Sequence, residues 1–419
     1  RKDLKGATQR DSLRAVLTAL ITTRSLRYPP ELRTESITAP PTTVWYKDGL
    51  WKFQVKKFWG DLGFGRPNQS KNYLRAGWKR FHITTKKGPN GPALWSALAD
   101  LASLPEELRD AIGYLGGPDL QFKMEILMDN LAALGTLLPV TKGKIRKLSS
   151  ISDKEKPRTV AILDYWSQTC LRPLHFFLFG VLRKIPQDVT FDQGSFVSKV
   201  NLWGPTRYFS FDLKDATDRF PISLIATVLG GAFTREWVQC WVHIMTGYPF
   251  SSSEGELSYG AGNPMGAYSS WASFAVAHHY VMYDACTELG VPWSSARYVI
   301  LGDDVLVGDP DLAGAYKARI ESLGVVISVE KTLVSDETLE FAKRYIHQGE
   351  EITPFPVSAV VDTYKSVALL VSALYGERRR NLEPRSGIPG AVYNLHRRLH
   401  FRRRACRLAQ EEATRVQTA

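Results

Sequence analysis

Cysteine is scarce: the 419-residue chain has four, Cys170, Cys240, Cys286 and Cys406, all far apart. No pair has the spacing of a metal knuckle, and four scattered thiols cannot form the framework of a small disulfide-stapled domain. Long apolar runs are lacking too. The nearest approach, "FFLFGVL" at 176–182, falls well short of the roughly 18 residues that a bilayer-crossing helix needs. GxxxxGK[ST] is absent, which removes a P-loop nucleotidase, and so is the GxSxG nucleophile elbow. There is no internal repeat and no low-complexity linker, so one multi-lobed body is expected rather than beads on a string.

What the chain has is apolar mass and positive charge. With 44% hydrophobic residues and 11% aromatics it can bury a sizeable core. Its 54 basic against 42 acidic residues leave a net +12, which favours a polyanionic partner such as nucleic acid or an anionic membrane surface.

The order of elements predicts a fold. "TRYFSFDL" reads as a strand ending at Asp212, and a helix follows in "DRFPISLIATVLGG". A glycine-rich loop, "YGAGNPMG", leads into a long helix from about Ala267 to Leu289. A strand pair flanks Gly302, Asp303 and Asp304 in "YVILGDDVLVGD", and after a helix from Asp311 to Leu323 the strand "VVISV" arrives at Lys331. Strand, helix, hairpin, helix, strand is the split βαβ order of a ferredoxin-like sheet, an α+β arrangement. It can bring Asp212 beside the hairpin tip.

Two adjacent aspartates at a rigid turn repel each other unless positive charge sits between or beside them. A pair of divalent cations would supply it, with Asp212 and Asp303 as principal ligands and Asp304 helping to hold the second ion or its water. Such a site acidifies a 3′-hydroxyl and neutralises a departing pyrophosphate. "DKEKPR" offers Lys154, Lys156 and Arg158 to a triphosphate, Arg158 first because it can clamp phosphate oxygens bidentately, with Arg146 and Lys147 just upstream. Lys331 is placed to protonate pyrophosphate. Asp218, a turn and a half beyond Asp212, can bond a ribose hydroxyl directly or through a neighbour. The small or acidic pair Thr217 and Asp218 leaves room for a 2′-OH. Gly262, Asn263 and Gly266 allow close approach of nucleic acid, and Ser269 and Ser270 open a helix whose free N–H groups can face phosphate or sugar oxygens.

In series these blocks resemble the RNA-dependent RNA polymerases of mitoviruses. "DKEKPRTVAILDYWSQ" is similar to the basic fingers motif, "FSFDLKDATDRFP" to motif A, "GNPMGAYSSWASFAVAHH" to motif B and "YVILGDDVLVGD" to motif C. "VEKTLVSDETLEFAKRYI", with Lys331, Glu340 and Lys343, resembles motifs D and E. The likeness covers roughly residues 140–361. Asn263 stands where the family usually has Gln, and Asp215 replaces a small residue. The resemblance implies a right hand with fingers and an amino-terminal extension at 1–205, palm at 206–219 and 261–345, a fingers insertion at 220–260 and a thumb at 346–419. It also implies Mg²⁺ or Mn²⁺, two ions, ribonucleoside triphosphates, an RNA template and product, and a mitochondrial setting; no obligate protein partner is inferred from the sequence. Lys343 and the thumb arginines Arg378, Arg397 and Arg398 would hold RNA. The rivals are a reverse transcriptase, which would want an aromatic near position 217, and a catalytically silent RNA-binding relic, which would have no reason to keep Asp212, Asp303 and Asp304.

Overall fold

Branched residues on both sides of Gly302 build the hairpin that the sequence predicts. Tyr298–Leu301 and Asp304–Val307 pair antiparallel, with Leu301 opposite Asp304. Every residue from Tyr298 to Val307 outside the Leu301–Asp304 tip is buried, as expected of strands covered on both faces. The structure is a computed structural model that describes residues 9–26, 28–47, 49–64, 74, 82–136, 143–153, 157–204, 206–378, 384 and 386–418.

The chain divides into two compact units. The larger comprises residues 30–151 and 158–336, the smaller 1–29, 152–157 and 337–419. In the larger unit a four-stranded antiparallel sheet runs in the spatial order Leu333–Ser335, Tyr208–Asp212, Asp304–Val307, Tyr298–Leu301. The closing edge strand is a correction: "VVISV" was expected to fill that place. Instead Ile327 makes a single bridge to Leu213 and the Lys214 amide donates to Val326 O at 2.8 Å. The chain then turns, with the Lys331 and Thr332 amides both donating to Ser328 O, before Leu333 joins the sheet. Val326 and Val329 are left exposed. A second sheet pairs Arg158–Leu163 with Arg146–Ile151, which lies parallel to Phe250–Ser252, itself paired with Gly255–Leu257.

The core of this unit forms around the helix Ser270–Leu289, buried at every position from Ala272 to Cys286. A helix buried on all sides must be surrounded, and it packs on Tyr165–Leu182, Ile222–Leu229 and Pro310–Ser322. The Trp-rich segment near the amino terminus is core as well. Trp45, Trp51 and Trp59 are buried, and Phe58 meets Tyr280 and Tyr283 edge-on.

The smaller unit joins a three-stranded antiparallel sheet, Thr338–Phe341, Arg344–His347 and Glu350–Glu351, to the helices Val357–Thr363, Val367–Arg378, Gly387–Arg398 and Arg403–Thr418. Leu370, Val371, Leu374, Ile388 and Val392 form its core. The helix Gln9–Ile21 lies in this unit. Arg14 donates to Glu351 O at 2.6 Å and Thr18 Oγ1 accepts from the Phe355 amide at 2.9 Å. Among the described residues no helix is long and apolar enough to cross a membrane.

Candidate active site

Ladder register decides which side chains meet. Tyr208–Asp212 runs antiparallel to Asp304–Val307 with Asp212 directly opposite Asp304. Asp303 occupies the two-residue turn beside that pair. The left-handed backbone falls on Gly302, at φ 63°, and a Cβ there would also stand 3.0 Å from the Trp271 indole nitrogen. Position 302 therefore demands glycine on two counts.

Lys331 Nζ lies 3.3 Å from Asp212 Oδ2, and the Ser328 amide donates to Asp212 O at 2.9 Å. The Asp303 side chain reaches solvent, but its carboxyl is set among close-packed atoms. Loss of water is the largest cause holding its pKa above the usual aspartate range. Its own backbone N–H opposes that shift, the Asp212 charge adds to it, and Arg158 and Lys331 oppose it. Asp212, Asp303, Arg158 and Lys331 thus share one electrostatic neighbourhood.

Among the described residues no three His, Cys, Asp or Glu side chains gather closely enough to hold one metal ion. The donor chemistry nevertheless fits a hard cation, since the carboxylate oxygens of Asp212, Asp303 and Asp304 are brought to one end of the hairpin. Mg²⁺ is commonly bound by one or two carboxylates, with water and substrate phosphate completing the shell.

The other predicted residues sort by burial. Arg158 is exposed. Lys154 and Lys156 lie outside the described residues. Asp218 is half-buried and accepts from Ser36 Oγ at 2.8 Å, a partner that no sequence pattern flags. Gly262 is buried against the Thr217 and Asp218 backbone, and the Asn263 amide donates to Thr217 O at 3.0 Å. Gly266 is exposed at φ 116°, where a Cβ would meet Ala161 O at 2.4 Å. Lys147 is half-exposed on the face of its strand opposite Arg146.

Four expectations are corrected. Arg146 does not face RNA: it is buried, donates to Ile244 O at 2.7 Å and Met245 O at 3.2 Å, and lies near the Tyr248 and Phe250 rings. Burial pulls its pKa down to about 10. Asn263, Ser269 and Ser270 are buried too, which leaves their side chains little surface to offer RNA or a triphosphate. Ser270 Oγ donates to Asn263 Oδ1, and Ser269 Oγ accepts from Trp241 Nε1 at 3.0 Å. These three fasten the glycine-rich loop to the core. In the smaller unit Lys343, Arg397 and Arg398 are exposed, and Arg378 ends its helix with a side chain outside the described residues.

Comparison with known proteins agrees with this geometry. A sequence model of the family described as Mitovirus RNA-dependent RNA polymerase matches residues 75–387. An RNA-directed RNA polymerase of Cryphonectria parasitica mitovirus 1 is 38% identical over 215 residues, which cover 50% of this chain and 26% of that protein. An uncharacterized mitochondrial protein of Arabidopsis thaliana is 34% identical over 197 residues, 44% of this chain and 78% of that protein. A solved chain from an "RdRp complex" superposes with a TM-score of 0.51 at 11% identity, over 88% of this chain and 35% of that one, a likeness of fold. The chain spans about a quarter of the length of the mitoviral relative. Because the family match covers about three quarters of the sequence, the chain belongs to the mitovirus RNA-dependent RNA polymerase family.

Proposed function

We propose that the chain performs template-directed RNA synthesis, joining ribonucleoside triphosphates on an RNA template to replicate a viral RNA genome, in a mitochondrial setting. The observation that carries this reading is the register that seats Asp212 opposite Asp304, with Asp303 at the adjoining turn coupled to Asp212, Arg158 and Lys331. The sheet order and its two long helices support a ferredoxin-like palm within a right-hand polymerase.

Asp212 and Asp303 would hold Mg²⁺ or Mn²⁺, as two ions with help from Asp304, and when bound the cations would supply the positive charge that acidifies a 3′-hydroxyl and offsets the negative charge of the leaving pyrophosphate. The protein's own groups do the rest. Arg158 presents an exposed guanidinium to triphosphate oxygens. Lys331 keeps a proton on Nζ, 3.3 Å from Asp212, from which the leaving pyrophosphate takes it. Asp218 keeps a carboxylate near the site for the ribose, with Ser36 fixing its orientation. Solvated arginines and lysines of the smaller unit, Lys343, Arg397 and Arg398 among them, grip RNA phosphates.

Primer extension on an RNA template tests the reading. Incorporation of ribonucleotides in Mg²⁺, lost at least about a hundredfold in Asp303→Ala, is the expected result. Incorporation of deoxynucleotides alone would identify a reverse transcriptase. RNA binding with no synthesis would leave a silent RNA-binding protein, and synthesis that survives Asp303→Ala would remove the assigned site.

A further inference from the structure

The turn that carries Asp303 is held from behind by two buried side chains that no part of the proposed chemistry uses. His278, on the central helix, is fully buried. Its Nδ1 is 2.7 Å from Gly302 O and its Nε2 is 2.8 Å from the Tyr316 hydroxyl. A carbonyl oxygen can only accept, so Nδ1 carries the proton and Nε2 is left to accept from the Tyr316 O–H. The order of donation is therefore fixed along the whole chain, from Tyr316 to His278 to Gly302. Phe220 and Phe274 pack against the imidazole with ring centroids 6.1 and 5.4 Å away, which excludes water from the relay. Burial drives the His278 pKa down to about 3, so the ring stays neutral and this one tautomer persists at working pH.

We infer that His278 and Tyr316 are positioning residues for Asp303: together they clamp the Gly302 carbonyl and so fix the left-handed turn that aims the neighbouring carboxylate. Three elements are tied through one imidazole. The central helix contributes His278, the Pro310–Ser322 helix contributes Tyr316, and the hairpin contributes Gly302. A glycine turn between two strands has few conformational restraints of its own. A buried hydrogen bond to its carbonyl removes the alternatives in which that oxygen faces away. The inference rests on the reading of Asp303 as a cation-binding carboxylate.

Its test uses the full chain and two measurements that do not depend on synthesis. In His278→Phe, which keeps the ring and removes both hydrogen bonds, amide hydrogen exchange in the 301–305 segment should speed up selectively. Mn²⁺ binding, followed by electron paramagnetic resonance, should weaken by about tenfold, the factor of roughly one lost buried hydrogen bond. His278→Asn, whose amide can still donate to Gly302 O, should recover most of both effects. Tyr316→Phe, which leaves that donation in place but no longer locks the tautomer, should give a smaller change in the same direction. If His278→Phe fails to fold, the Asn and Tyr316→Phe variants still decide the matter through their graded order. Unchanged exchange at the tip would overturn the inference, and so would faster exchange with unaltered Mn²⁺ binding, which would reduce the contact to a structural one. If the variants show the exchange and Mn²⁺ effects while the wild-type chain makes no RNA, the polymerase reading sinks and the clamp stands.

Discussion

At Asp303 fold and chemistry conflict. A carboxyl whose pKa is higher in the folded than in the unfolded chain favours folding while protonated, and that contribution is lost as pH rises through the folded value. Asp303 is such a group, chiefly through loss of water and secondly through Asp212. Metal-free Asp303→Asn should therefore melt above the wild type near pH 7, and the gap should close near about pH 3, below the ordinary aspartate value. Added Mg²⁺ should raise the wild-type melting temperature and not that of the variant. Differential scanning calorimetry with chelator or Mg²⁺ checks both statements, and a variant less stable at neutral pH would mean that a positive neighbour outweighs burial. Lys331 is open to a cleaner separation of roles, because it both pairs with Asp212 and carries a proton. Lys331→Arg keeps the pairing charge but holds its proton too tightly to give it up. It should lose about a hundredfold or more in kcat with little change in the KM for nucleotide, within the range of general acid catalysis. Near-normal kcat would reduce Lys331 to a charge partner.

Between elements, one tie in the described core is ionic. Arg319 on the Pro310–Ser322 helix donates to Asp284 Oδ2 at 2.9 Å and to Glu288 Oε2 at 2.6 Å on the central helix. Asp284 and Arg319 are buried. Burial raises the Asp284 pKa, and Arg319 and the Lys52 amide oppose that shift without cancelling it. Removing one partner strands a charge in the core, so Arg319→Met should cost about 3–5 kcal/mol, while adding Asp284→Leu should restore much of it. Urea denaturation of the single and double variants measures the difference, and equal losses in both would show that packing, not charge, holds the two helices. This scale also shows what the sequence made legible. The hairpin and both flanking helices follow from branched runs and helical spacing, because their patterns agree with their burial. "VVISV" misled because β propensity alone does not choose a sheet partner. The turn at Ser328, bonded to the Asp212 carbonyl, set the edge strand a few residues later. Arg146 misled for a related reason. In "RKLSSI" it shares a strand face with Leu148, and that face is buried, so alternation carried a signal that the charge run concealed. The link between Ser36 and Asp218 joins distant positions that no local pattern connects.

For the molecule as a whole, the excess of twelve positive charges matters through where it is displayed. The family match ends at residue 387, so the arginines beyond it must be judged on physical grounds alone. Arg397 and Arg398 lie in the last turn of their helix, and with Arg402, Arg403 and Arg404 they form an exposed basic run. Neutralising phosphates releases counterions from nucleic acid, so the logarithm of the binding constant falls linearly with the logarithm of salt concentration, by roughly 0.9 per contact on a duplex. If Arg397 and Arg398 each touch a phosphate, Arg397→Glu with Arg398→Glu should flatten the salt dependence of duplex RNA binding by about 1.8 and weaken affinity at low salt. Because neither arginine has a part in the chemistry assigned to Asp303 and Lys331, kcat at saturating RNA should be unchanged. Fluorescence anisotropy across a salt series, paired with single-turnover extension, reads both quantities. A slope equal to that of the wild type would mean that these arginines face solvent when RNA is bound, and the grip on the duplex would then have to come from other basic residues, Lys343 and Arg402 to Arg404 or those of the larger unit.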